Sequence, residues 1–375
     1  MQNAQSLSEL LQIRDENRAC IDQNDSIEAT ALGRKNGEGD PCVLVFVDRK
    51  ISSHWLKPDV VVPTTLTAKG GLSCPTDVIE TRPLGFYPDM EARLLHVSTD
   101  GKPRLIETEE LLGYGPLKNE AKLDLLKRLR GQWQNITPGA RIASFKNSGT
   151  LSCFAQDDKG LGILTNEHVS GREGNELYSF TYDYGTRFAT TSNTVYEIPA
   201  DQRFPNLFKN FSGTYRVDAA FARLDPAIDE SQIDPRLPVI NSNNKIEMKT
   251  LGPPFPLDLD TMGPVGERVV GVGQMRSHQI GKIFAFGFEY RNDPFGSIDY
   301  LIIGDEKDDQ FSHPGDSGKL IVSADDSCRP IALMWGGWYH RFRPDQGIEN
   351  LSYATDIGVV LDRLKIKLFN ATPHV

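Results

Sequence analysis

The feature that most restricts the fold is a change of texture at Thr137-Pro138-Gly139. Beyond it, short runs of β-branched, aromatic and aliphatic residues alternate with Gly, Asn, Asp and Pro, the pattern of many short strands joined by turns. Strands are predicted at 149–154, 161–165, 219–224, 268–272, 282–288, 300–303, 320–322 and 331–334, as in an all-β barrel or sandwich. Helix is predicted again only at the end. There Thr355 and Asp356 can cap a run whose Ile357, Val360, Leu361 and Leu364 share one face.

The part before Thr137 mixes both kinds of element. Ser6 and Glu9 form a capping-box pattern ahead of Leu7, Leu10 and Leu11, which predicts a helix ending before Asn24 and Asp25. Apolar runs at 27–32 and 43–47 flank Gly37-Glu38-Gly39-Asp40-Pro41 as two adjacent strands, and Val78 and Ile79 suggest another. A connecting helix is predicted over 119–136, with Leu125, Leu126, Leu129, Trp133 and Ile136 on one face and Glu120, Asp124, Lys127 and Arg128 turned away. The expected organisation is a smaller α+β domain at 1–137 and a mainly β domain at 138–375.

Composition narrows the function classes. A net charge of −10, without clustered Lys and Arg, argues against nucleic acid and acidic lipid surfaces as partners. No apolar run reaches the roughly 20 residues of a membrane span. Glu9, Arg14, Asp15, Glu16 and Arg18 interrupt residues 1–20, so no secretion signal is read and a cytoplasmic location is expected. Cys20, Cys42, Cys74, Cys153 and Cys328 are scattered and lack a C-x-x-C pair, so neither a metal site nor a disulfide framework is indicated; each reads as a small buried residue.

The chemistry is concentrated in Phe311-Ser312-His313-Pro314-Gly315-Asp316-Ser317-Gly318-Lys319, which runs into the apolar strand Leu320-Ile321-Val322. Its glycines allow a turn in which the amides of Gly315 and Ser317 converge as an oxyanion hole. A serine needs a base and an orienting acid. His168 follows a strand, where a loop can present it, and Asp218 opens the apolar strand Ala219-Ala220-Phe221-Ala222. The order His, Asp, Ser differs from that of α/β-hydrolases and subtilisins and agrees with chymotrypsin-like enzymes. His313 reads as a pocket or loop residue, His278 and His340 as surface or packing residues, and Asp225 as a weaker rival to Asp218. Gly271-Val272-Gly273 lacks the context of a phosphate loop and reads as a barrel turn. The acidic residues Asp305, Glu306, Asp308 and Asp309 read as a solvated loop rather than a cation site.

With these residues in hand, the sequence resembles trypsin-like serine peptidases over 149–337. Gly149-Thr150-Leu151 and Ala332-Leu333-Met334-Trp335-Gly336-Gly337 are similar to that family's first barrel strand and substrate-binding strand. The pieces at 31–37, 43–47 and 75–80 resemble the non-secreted branch that includes plant narrow-leaf-type proteases and bacterial relatives. The resemblance implies a two-barrel chymotrypsin-like domain with a C-terminal helix, and serine endopeptidase activity on intracellular proteins without a cofactor. Backbone groups of Met334, Trp335 and Gly336 would pair with an extended peptide. The position that selects Arg or Lys in trypsin falls on Phe311, which would line a shallow apolar pocket or fill it. Glu167 and Val169 flank the histidine where secreted trypsins have Ala and Cys.

The resemblance also raises a question of activation, because a new amino terminus pairs with the Asp beside the nucleophile in secreted trypsins. Here the N-terminal domain or the neighbouring loops would have to fix Asp316 without cleavage. A protein or peptide substrate is the expected partner, with a homo-oligomer left open. The alternative function is a peptidase-fold scaffold that holds a protein partner.

Overall fold

The computed structural model describes residues 2–47, 49–51, 53–56, 61–80, 95–97, 103–105, 119–132, 135–181, 184–205, 207–208, 210–291, 296–305, 311–341 and 348–370. Helix α1 (Leu7–Glu16) starts at Ser6, whose hydroxyl accepts the Glu9 amide at 3.3 Å. Glu9 answers to the Gln5 amide at 2.6 Å, so the reciprocal half of the cap falls one residue early. A break at Asn17 separates α1 from a short helix, Arg18–Gln23. Strands β1 (Ile27–Arg34) and β2 (Pro41–Val47) pair antiparallel, and β3 (Leu72–Glu80) adds to β2 in parallel.

The connecting helix is shorter than its periodicity predicts. Helix α2 (Glu120–Lys127) passes into a wider π turn, Arg128–Gln132, where Gly131 takes φ 125°. That left-handed residue ends the helix, and Ile136 instead forms a parallel bridge with Ile233. Leu125, Leu126 and Leu129 are buried as the pattern requires. Trp133 and residues 306–309 of the acidic loop lie outside the described residues.

Two β-systems follow. The first comprises β4 (Arg141–Ala143), β5 (Ser148–Thr150), β6 (Cys153–Asp157), β7 (Gly160–Thr165), β8 (Glu176–Thr181), β9 (Tyr184–Pro199) and β10 (Thr214–Leu224). They run in the open order β6-β7-β10-β9-β8-β4-β5, with Lys367–Leu368 added beside β6. The second comprises β11 (Arg268–Gly273), β12 (Ser277–Tyr290), β13 (Ile298–Gly304), β14 (Leu320–Ser323), β15 (Pro330–Arg341) and β16 (Ile348–Asp356). Their order β12-β11-β14-β15-β16-β13 returns to β12 through its pairing with β13, so this barrel is closed. The chain is thus mainly β, with one open and one closed barrel; the predicted strands of residues 149–334 are found, except that 149–154 breaks at Leu151-Ser152 into β5 and β6.

Strand β12 also pairs with β1, so the N-terminal sheet continues directly off the closed barrel. Buried charges reinforce that join: Arg14 meets Glu289 at 2.6 Å and donates to the Gly287 carbonyl, while Arg18 meets the other Glu289 oxygen at 2.6 Å. Helix also occurs before the end of the chain, as α3 (Glu167–Ser170) and the turn Ala200–Arg203, and α4 (Ile357–Leu364) then precedes the strand Lys367–Leu368. Asp356 caps α4, accepting the Val359 amide at 3.1 Å. Four cysteines are buried as expected, but Cys20 is exposed. Among the described residues no helix is long and apolar enough to cross a membrane.

Candidate active site

The open barrel supplies His168 and Asp218. Strand β7 ends at Thr165, and Asn166 leads into α3, so His168 stands on one helical turn rather than on a loop. Val169 and Ser170 anchor that turn in the core. Asp218 lies within β10, not at its start, and occupies a β-bulge. Arg216 pairs with Glu197 and Ala219 with Val195, which leaves Val217 and Asp218 opposite the single residue Tyr196. Asp218 takes the left-handed φ of 48°, a conformation Asp tolerates better than most residues, and the bulge re-aims its side chain.

That side chain grips the histidine twice. Asp218 Oδ2 is 2.8 Å from His168 Nδ1, and Oδ1 accepts the His168 amide at 3.1 Å. Asn166 Nδ2 donates to the Asp218 carbonyl at 2.7 Å, and Arg216 Nη2 donates to Oδ2 at 3.0 Å. Burial acts to raise the Asp218 carboxyl, but the His168 ring and the Arg216 charge outweigh it and hold the group well below the usual carboxylate range. An ionised carboxylate can only accept. Nδ1 therefore donates, and the basic lone pair of the neutral ring is placed on Nε2.

The closed barrel supplies the Ser317 segment as two successive turns. Asp316 N donates to the His313 carbonyl at 2.9 Å and Lys319 N to the Asp316 carbonyl at 2.9 Å. The third residues of these turns are Gly315 at φ 98° and Gly318 at φ 95°, a region that side chains rarely enter. The Gly315 carbonyl accepts from Thr150 Oγ1 at 3.2 Å and Gln274 Nε2 at 2.8 Å. The Ser317 carbonyl accepts the Thr150 amide at 2.7 Å. Thr150 in turn accepts Thr165 Oγ1 at 3.0 Å, at the end of the strand that leads to His168.

Both halves therefore press on the same two residues of β5. A methyl group at Gly149 would stand 2.5 Å from Val169 Cγ2 and 2.7 Å from the Ser317 carbonyl, so only glycine fits between them. A second clamp runs the other way across the barrels. Thr355 Oγ1 donates to the carbonyls of Arg216 and Val217 at 2.9 and 3.1 Å, fixing the bulge that carries Asp218.

The remaining predicted residues fare differently. The Phe311 side chain is 0% exposed, and its ring reaches within 3.0 Å of where methyl groups at Gly271 and Gly281 would stand. It fills space in the barrel and offers no wall to a substrate. Met334 already uses its backbone internally, donating to the Lys319 carbonyl at 3.0 Å and accepting the Gly318 amide at 2.9 Å, so it cannot pair with a peptide. Trp335 is buried and Gly336 partly exposed beyond it. His313 and His278 are buried, and the His340 side chain lies outside the described residues. Asp225 is paired with Arg187 at 2.6 Å rather than with a histidine.

Sequence reasoning missed Arg216, Thr150 and Gln274. Arg216 had a signal: it stands two residues before Asp218, hence on the same strand face in regular pairing, and an arginine in an otherwise apolar strand needs a buried partner. Asp316 has partners from Met275, His313 and Lys319; among the described residues none comes from the first 137. Of the two expected sources the neighbouring loop at Gln274 and Met275 makes the direct contacts, and the N-terminal region reaches the turn one step removed, through Arg130, whose Nε donates to the Gln274 carbonyl at 2.9 Å.

The chain is 29% identical to rice (Oryza sativa subsp. japonica) Protein NARROW LEAF 1 over 372 residues, covering 90% of this chain and 56% of the rice protein. It therefore spans little more than half the length of that relative. Among solved structures it is similar to Nocardiopsis protease (NAPase), with 16% identity and a TM-score of 0.41, covering 62% of this chain and 98% of that one. Thermobifida fusca protease A gives 15% identity and a TM-score of 0.40, covering 63% of this chain and 100% of that one. The two-barrel fold is read from the strand pairing above rather than from these superpositions. The NARROW LEAF 1 N-terminal domain matches residues 2–79 and the Nal1 C-terminal domain residues 118–372. On that coverage the chain belongs to the Nal1 family.

Proposed function

We propose that this chain is a serine endopeptidase that cleaves protein substrates through an acyl-enzyme. The observation that carries the reading is the His168–Asp218 pair, an ionised carboxylate 2.8 Å from Nδ1 that leaves Nε2 as the base. It stands at the barrel junction against which the Ser317 turn is also pinned.

In this reading Ser317 Oγ bonds to the scissile carbonyl carbon while its proton passes to His168 Nε2. The resulting oxyanion accepts from the amides of Gly315 and Ser317. Collapse breaks the C–N bond, and the leaving amine takes the proton from His168. Water then repeats the sequence and releases the acid. The substrate would lie extended along Trp335 and Gly336. Phe311 fills the place of a primary specificity pocket, so selection for Arg or Lys is not carried over. A cytoplasmic site of action and narrow specificity complete the proposal.

A second reading, a scaffold that holds a partner without cutting it, is favoured by that filled pocket and by Ser317, which is only 3% exposed. Profiling the full chain and Ser317→Ala against a mixed peptide library separates the two. The peptidase reading expects a narrow set of cleavages that Ser317→Ala abolishes. No cleavage by either protein would favour the scaffold, and equal cleavage by both would refute Ser317 as the nucleophile.

A further inference from the structure

Asp316 is a fully buried carboxylate beside the candidate nucleophile, and a buried carboxylate is retained only with a counter-charge and hydrogen bonds. The counter-charge is local. Lys319 Nζ is 2.9 Å from Asp316 Oδ2, and both side chains are 0% exposed. The same ammonium donates to Gln279 Oε1 at 2.7 Å and to the Phe311 carbonyl at 2.8 Å. Three donors thus meet three acceptors. Asp316 additionally accepts the amides of Met275 and His313 at 3.0 and 3.1 Å.

The rest of the barrel is shaped around this pair. The lysine stem crosses β11 at Gly271 and Gly273, two residues on one face of the strand. A methyl at Gly273 would stand 2.4 Å from Asp316 Oδ1 and 2.7 Å from Lys319 Cε, and one at Gly271 would stand 2.7 Å from Lys319 Cδ. The Gly271-Val272-Gly273 sequence is therefore a cleared lane for an ion pair. Phe311 belongs to the same seat: its carbonyl binds the ammonium and its ring centroid lies 5.2 Å from Nζ.

We infer that Lys319 is a built-in positioning residue for the nucleophile turn: its ammonium, from within the turn itself, holds Asp316 and so fixes the Gly315 and Ser317 amides without cleavage of the chain. This inference rests on the peptidase reading. It deepens that reading by placing the turn's competence in the folded chain, so that any control of activity must act on access to the site and not on a liberated amino terminus.

The test measures the rate at which a fluorophosphonate labels Ser317 in the full chain, with intact mass recorded before and after and thermal unfolding run alongside. Wild type is expected to label at its uncut mass. Lys319→Ala is expected to label about 100-fold or more slowly, the loss typical of a disordered oxyanion donor. Millimolar ethylammonium should restore a measurable part of that rate in Lys319→Ala and none in Lys319→Ala with Asp316→Asn. Should Lys319→Ala fail to fold, the neutral pair Asp316→Asn with Lys319→Met replaces it, again with labelling expected to fall about 100-fold. A folded Lys319→Ala or neutral-pair protein that labels within about threefold of wild type would overturn the inference, as would labelling confined to a clipped wild-type chain. A wild type that never labels would instead refute the peptidase reading on which the inference rests.

Discussion

In the open barrel the histidine of the candidate site reaches water, its side chain 21% exposed, although its partner Asp218 is 1% exposed and is braced by the buried Arg216, which lies against the exposed ring of Tyr196, 3.3 Å from its centroid. In the closed barrel the corresponding charges, Asp316 and Lys319, are sealed from solvent altogether. On the proposed reading the contrast follows from what each half must do. A proton carrier has to reach substrate and exchange with water, which fits a partly exposed histidine on a short helical turn. Backbone donors for an oxyanion are useful only if they do not move, and a closed sheet with an internal ion pair provides that rigidity.

The largest effect is expected in the open half. Asp218→Asn should retain the fold but slow fluorophosphonate labelling about 10,000-fold, because an amide in that place permits the wrong histidine tautomer. Labelling within tenfold of wild type would remove Asp218 from the site. In the closed half, Arg14→Met should leave Glu289 buried with only Arg18 and cost about 3–5 kcal/mol in urea unfolding. A loss below 1 kcal/mol would show that the N-terminal helix does not brace the barrel.

Arg216→Met should slow labelling by about 2 kcal/mol, or roughly 30-fold, since it removes a charge-assisted bond to Asp218. It also has a signed pH effect. A depressed carboxyl contributes stability above its ordinary pKa of about 4, and that contribution is lost as pH falls below it. Removing Arg216 should move this acid loss to higher pH, visible in melting curves between about pH 2 and 5; an unchanged acid limb would break the argument.

The smallest effect concerns Asp356, where burial and the charge of Asp299 push the carboxyl up to about 6 despite Arg203 and Tyr300. A raised carboxyl costs stability as pH climbs from about 4 upward, fully so above its folded pKa. Asp356→Asn keeps a capping acceptor for α4, so its stability relative to wild type should be about 1 kcal/mol higher at pH 7.5 than at pH 5. The same difference from wild type at both values would contradict that account.

The strands and caps were legible because their signals are local. Ser6 and Asp356 cap as their positions suggest, and the runs at 149–334 become strands because β-branched and aromatic residues meet turn residues at short intervals. Pairing partners were not legible: nothing within 27–34 announces β12 as its neighbour, since that contact is decided by tertiary packing. The helix over 119–136 was overextended because periodicity ignores the left-handed turn at Gly131. In the candidate site, the proposed triad was easier to read from sequence than the residues that hold it in place. Lys319 looks like a stray charge at the end of an apolar strand and only the fold shows the carboxylate it meets, whereas Arg216 carried a signal in its spacing from Asp218. Phe311 illustrates the converse, a position assigned by analogy to a pocket that this chain fills.

The central claim is that one hydroxyl in this chain is an activated nucleophile. It is tested most directly by the stoichiometry of fluorophosphonate labelling on the intact protein, with the adduct mapped by peptide mass. The account predicts one adduct per chain, located on Ser317 and absent from Ser317→Ala and His168→Ala. A well-folded protein that takes up no label, or takes it up equally without Ser317, would contradict it.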